Sequence, residues 1–183
     1  QTLNTIIPSG RHQGLSVAIV LADIPEGGQL LAHNECALGQ LISEETLNHI
    51  IPTGRHQGES VAFSLACTQD GVRLLVHNNH ALGKLISPQT LNTIIPSVPQ
   101  EGQSVALWLA GTPEGRQLLA HNECALGQMI SKQTLNTIVP SGRDQGLSVA
   151  IVLSDIPEGR QLLAHNNHAL GQLISEETLN HIT

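Results

Sequence analysis

The tripeptide Thr-Leu-Asn stands at residues 2–4, 46–48, 90–92, 134–136 and 178–180, always 44 residues apart, with no insertion or deletion between copies. A fixed period of this size builds an array of like units rather than one irregular core. The 183 residues therefore read as one repeat domain with units 1–44, 45–88, 89–132 and 133–176, followed by the opening of a fifth unit, 177–183.

The pattern inside a unit selects helices. In "GLSVAIVLADIP" (14–25), Ser16 is an N-cap candidate, and Val17, Ala18, Leu21 and Ala22 share a helical face. Pro25 and Glu26 suit a first helical turn, with Leu30 and Leu31 as its apolar contacts. Ala37, Leu38, Leu41 and Ile42 are spaced as on a third helix. Ser43 then caps a fourth helix that Pro52 must end. Period-2 alternation over a strand's length is missing. The expected fold is all-α, an α-solenoid of four tandem repeats, each of three to four short helices. Helices this short are marginal alone, so stability has to come from stacking unit on unit. The polar loops 8–14, 52–58, 96–102 and 140–146 separate the helical layers, each ending in a glycine (Gly14, Gly58, Gly102, Gly146).

Composition narrows the function. Hydrophobic residues make up 40% and aromatics 1%, so the core must be Leu, Ile, Val and Ala. Eight Lys and Arg against fifteen Asp and Glu give a net charge of −7, the opposite of a phosphate-tracking surface. No apolar run is long enough to span a membrane, and no signal-peptide pattern opens the sequence. Three cysteines make a disulfide framework improbable and favour a reducing, cytoplasmic compartment.

A second repeated phrase, "LLAHNECALGQLIS" at 30–43 in the first unit, raises metal chemistry. It pairs His33 with Cys36, His77 with His80, His121 with Cys124 and His165 with His168. Zinc needs three or four ligands at about 2.0–2.3 Å, whereas equivalent residues in packed helical layers lie roughly 8–10 Å apart. No metal and no cofactor is therefore expected at these pairs. The expected role of the following Asn34, Asn78, Asn122 and Asn166 is to N-cap the next helix, with His33 closing the preceding one. Asn4 and its equivalents would do similar work at the fourth helix.

Catalysis calls for one asymmetric group of nucleophile, base and orienting residue, yet every Ser, His and Asp here belongs to a repeated position. None of the motifs GxSxG, HExxH, GxGxxG or the P-loop is present. The chain is expected to be non-enzymatic.

Positions that differ between units point to recognition. One position on the first helix reads Val20, Ser64, Trp108 and Val152; another, three residues on, reads Asp23, Cys67, Gly111 and Asp155. The adjoining loop varies as His12, His56, Gln100 and Asp144. Stacking would align these into a ribbon able to bind a protein or peptide, with Trp108 as the strongest anchor. A second variable pair switches as Glu35-Cys36, Asn79-His80, Glu123-Cys124 and Asn167-His168. That pairing resembles the logic of TAL-effector, PUF and PPR repeats, which implies a modular nucleic-acid reader as the alternative function. The acidic balance opposes it. A consensus-like array made only for its fold is a third reading. Neither terminal unit carries a polar cap, which suggests flanking units in a longer chain or end-to-end self-association.

Overall fold

The computed structural model describes residues 2–8, 12–121, 126–164 and 170–182, with the side chains of residues 34–36 outside that description. The described residues form twelve α-helices and short 3-10 turns, and they contain no strand beyond one isolated bridge between Ile6 and Ser16. The chain divides into two compact units, Gln1–Thr90 and Leu91–Thr183.

The first unit contains α1 (Val17–Ala22), α2 (Pro25–Cys36), α3 (Glu44–Asn48), α4 (Val61–Ala66) and α5 (Gln69–His80). It also holds the start of α6 (Pro88–Asn92), which crosses the boundary. Within it, α1 packs on α2 and α4, and α5 packs on α2 and α4. The second unit contains α7 (Val105–Gly111), α8 (Pro113–Ala120), α9 (Lys132–Asn136), α10 (Val149–Ser154), α11 (Pro157–Ala164) and α12 (Glu176–Ile182). There α7 packs on α8 and α10, and α11 packs on α10 and α8. The core is aliphatic throughout, with Leu31, Leu47, Leu74, Leu91, Leu109, Leu118 and Leu135 fully buried, and Phe63 joins it.

Local chemistry explains where the helices start. Ser16, Ser60, Ser104 and Ser148 accept from the backbone N–H of Ile19, Phe63, Leu107 and Ile151, capping α1, α4, α7 and α10. Thr68 and Thr112 cap α5 and α8 through the N–H of Gly71 and Gly115. Those glycines serve a second purpose. A Cβ at Gly27, Gly71, Gly115 or Gly159 would overlap the carbonyl of Leu21, Leu65, Leu109 or Leu153. The second helix of each pair thus enters in direct contact with the end of the first, an approach only glycine permits.

Each polar loop is closed by its own main chain. Ile7 donates to Leu15 and Gly14 donates back to Ile7, at 2.8 and 2.9 Å. The pair recurs between Ile51 and Glu59/Gly58, Ile95 and Gln103/Gly102, and Val139 and Leu147/Gly146. Gly14, Gly58, Gly102 and Gly146 sit at φ of 84°, 86°, 84° and 83°, a left-handed turn that favours glycine.

The asparagine of Thr-Leu-Asn ties each short helix to the turn some forty residues on. Asn48 Nδ2 donates to the Leu85 carbonyl at 2.6 Å and Asn48 Oδ1 accepts from Ser87 N–H at 2.8 Å. Asn4 does the same with Leu41 and Ser43, Asn92 with Met129 and Ser131, and Asn136 with Leu173 and Ser175. Ser43, Ser87, Ser131 and Ser175 then cap the next helix through the N–H of Thr46, Thr90, Thr134 and Thr178.

Three expectations need correction. Residues 37–42 do not form a full helix: only the 3-10 turn Gly39–Leu41 survives, and Leu41 is exposed. Gly39 in this turn lies against the Leu74 side chain and the Leu31 carbonyl, leaving no room for a Cβ. The fourth helix stops at Asn48 rather than continuing to Pro52, since Ile51 is engaged in loop closure. Finally, Asn78 is not an N-cap. An N-cap needs extended backbone, whereas Asn78 and Asn79 are left-handed at φ 50° and 55°, followed by His80 at φ 60°. Asn and His tolerate this region better than most residues, so Asn78 sits at a kink near the end of α5 rather than capping a new helix. Asn122 and Asn166, and the side chain of Asn34, lie outside the described residues.

Candidate functional site

The variable positions on the first helix of each pair do not form one exposed strip. In the first unit Val20 is half-buried and Asp23 exposed, while Ser64 is buried and Cys67 half-buried. In the second, Trp108 and Val152 are half-buried and Gly111 and Asp155 exposed. Helix-to-helix packing draws several of these side chains inward, where they meet the variable loop.

In the first unit they converge on His56. Asp23 ends α1, its N–H held by the Ile19 carbonyl. Ser64 lies on α4 and donates its hydroxyl to Asp23 Oδ1 at 2.6 Å, which turns Asp23 Oδ2 toward His56 Nδ1, 3.9 Å away. Glu59 follows the left-handed Gly58, with its own carbonyl and N–H fixed by Ile51 and His56. Its side chain is 9% exposed and places Oε2 at 2.9 Å from His56 Nδ1. The ligand-type atoms of Asp23, His56 and Glu59 all lie within 4.8 Å of one another. The Ser64 hydroxyl gives its hydrogen bond to a carboxylate rather than to the imidazole, so this is not the serine–histidine contact that activates a nucleophile.

The second unit uses the same positions differently. Gln103 takes the place of Glu59 and is 5% exposed. Its amide donates to Asp144 Oδ2 at 2.9 Å, and its carbonyl oxygen accepts from the Trp108 indole N–H at 3.2 Å. Trp108 is thereby anchored at its polar edge.

Sequence reasoning missed Glu59 and Gln103. Their signal was present: the same position holds Leu15 and Leu147 in the other two repeats, so an acid and an amide replace an apolar residue beside an unchanged serine cap. Of the second variable pair, Asn79 is exposed and His80 half-buried at the end of α5. Glu123, Cys124, Asn167 and His168, and the side chains of Glu35 and Cys36, lie outside the described residues. No described helix is long and apolar enough to cross a membrane. Comparison with protein-family models, curated proteins and solved structures finds no match for this chain.

Proposed function

We propose that the chain is an α-solenoid of four 44-residue repeats acting as a non-enzymatic scaffold for a protein or peptide partner. The backbone-setting residues are the same in every repeat, namely the capping serines, the bridging asparagines and the close-packed glycines. The side chains around the first helix and its loop are not. A frame held constant under a changing surface is the usual division of labour in a binding repeat array.

Trp108 is the observation that carries this reading. Its N–H is satisfied by Gln103 and the residue is only half-buried, so the part of the indole left at the surface offers apolar area to a partner without exposing an unpaired polar group. Selection of peptides from a displayed library against the chain tests it, with the fluorescence of this sole tryptophan as the direct reporter. Trp108→Ala should weaken the selected peptides by about thirtyfold, the size of an interface hot spot. Peptides indifferent to Trp108, Asp23 and Ser64 would sink the proposal. Retardation of mixed oligonucleotides at low salt would favour nucleic-acid reading instead.

A second reading, end-to-end self-association, rests on Leu30. It is 50% exposed, whereas its equivalents Leu74 and Leu162 are 0% and 5% exposed. Leu74 and Leu162 each cover the glycine turn of the preceding repeat, at Gly39 and Gly127. Leu30 would make the same contact with a second copy. Concentration-dependent mass in sedimentation, abolished by Leu30→Lys, is the expected result.

A further inference from the structure

We infer that Asp23, His56 and Glu59 form a binding site for a divalent transition-metal ion, with zinc the best match to the donor set. One imidazole nitrogen and two carboxylate oxygens are ligands that zinc and its first-row neighbours accept, and three protein ligands leave one position for water. The spacing fits. Two donors on one tetrahedral zinc at about 2.0–2.2 Å sit roughly 3.3 Å apart. The separations of 2.9 Å for His56–Glu59 and 3.9 Å for His56–Asp23 bracket that value, and all three donor atoms lie within 4.8 Å of one another.

Three further features support the assignment. All four groups are placed by rigid elements: Asp23 at the end of α1, Ser64 inside α4, and His56 and Glu59 in a loop locked by main-chain bonds. Ser64 binds the remote oxygen of Asp23, the kind of outer contact that aims a ligating carboxylate. The charge also favours an ion. Two carboxylates, one of them buried, share a single imidazole, so the cluster holds a negative surplus that a dication neutralises.

The second unit supplies a control within the same chain. The equivalents of Asp23, His56 and Glu59 two repeats on are Gly111, Asp144 and Leu147, so only one ligand-type side chain remains at the matching place. The site differs from the His-x-x-Cys and His-x-x-His pairs: it draws on two repeats and uses none of those residues.

The experiment is a titration of the chelator-treated full chain with zinc by calorimetry, and with cobalt by visible absorption. One ion per chain should bind with a dissociation constant near or below about 10 µM, and Asp23→Asn, His56→Gln and Glu59→Gln should each weaken it at least tenfold. Ser64→Ala should weaken it less than these, and His77→Gln should leave it unchanged. His56→Gln and Glu59→Gln introduce side chains that the third repeat already carries at those places, so folding should survive; circular dichroism checks this. In the unaltered chain, cobalt should shift the His56 imidazole resonances ahead of the other histidines. No binding at about 100 µM zinc overturns the site, as does binding that survives all three ligand replacements or an unshifted His56.

Discussion

The cluster around His56 and the cluster around Gln103 grow from the same scaffold and reach opposite solutions. Both follow a left-handed glycine, Gly58 or Gly102, and both precede a buried capping serine, Ser60 or Ser104. In the first, two carboxylates crowd one imidazole and the polar atoms point at a common centre. In the second, the Gln103 amide is divided between an acceptor, Asp144, and a donor, Trp108, so each of its ends has a partner. One arrangement is left with negative charge to spare; the other is complete in itself. Equivalent sequence positions thus carry distinct chemistry behind the same glycine turn and serine cap.

That contrast can be broken or sharpened by mutation. The largest effect should be shared. Asn48→Ala and Asn92→Ala each remove the pair of bonds to the following turn and leave a carbonyl and an N–H without partners, and Asn48→Ala also loses the bond to the Glu44 carbonyl, a loss of about 2–3 kcal/mol in urea unfolding. A large disparity between the two would mean that the frame itself differs between the units.

Next, Gln103→Leu should cost about 2 kcal/mol, because Asp144 and the Trp108 N–H both lose a partner. Glu59→Leu should cost no more than about 1 kcal/mol without metal, since it removes a crowded carboxylate as well as one hydrogen bond. Equal losses would erase the distinction between a self-satisfied cluster and an open one. The smallest effect belongs to Ser64→Ala. It breaks one short bond to a carboxylate that is partly in water, for about 0.5 kcal/mol by the same denaturation measurement.

Helix starts were legible in the sequence because capping is local: Ser16 and Ser43 bond three residues ahead, and no distant contact is needed to see it. The loops were legible for the same reason. What lay beyond reach depended on other repeats. The apolar spacing of Ala37, Leu38, Leu41 and Ile42 describes a helix, whereas the backbone makes a single 3-10 turn at Gly39–Leu41, packed against Leu74. Asn78 looked like a cap because asparagine serves both as a cap and as a left-handed residue, and only the backbone angles separate the two. The His56 cluster was hidden most completely. Its members span residues 23 to 64, and comparing one motif with its copies cannot reveal residues from different positions meeting in space.

The self-closed loop has a use outside the natural context of this chain. Between Ile51 and Gly58 the main chain supplies its own clasp, so the intervening residues need not contribute side chains to keep the ends together. The loops already carry His12, His56, Gln100 or Asp144 on the same clasp. Such a segment is a ready frame for grafting: a foreign hexapeptide could be presented in constrained form at each clasp.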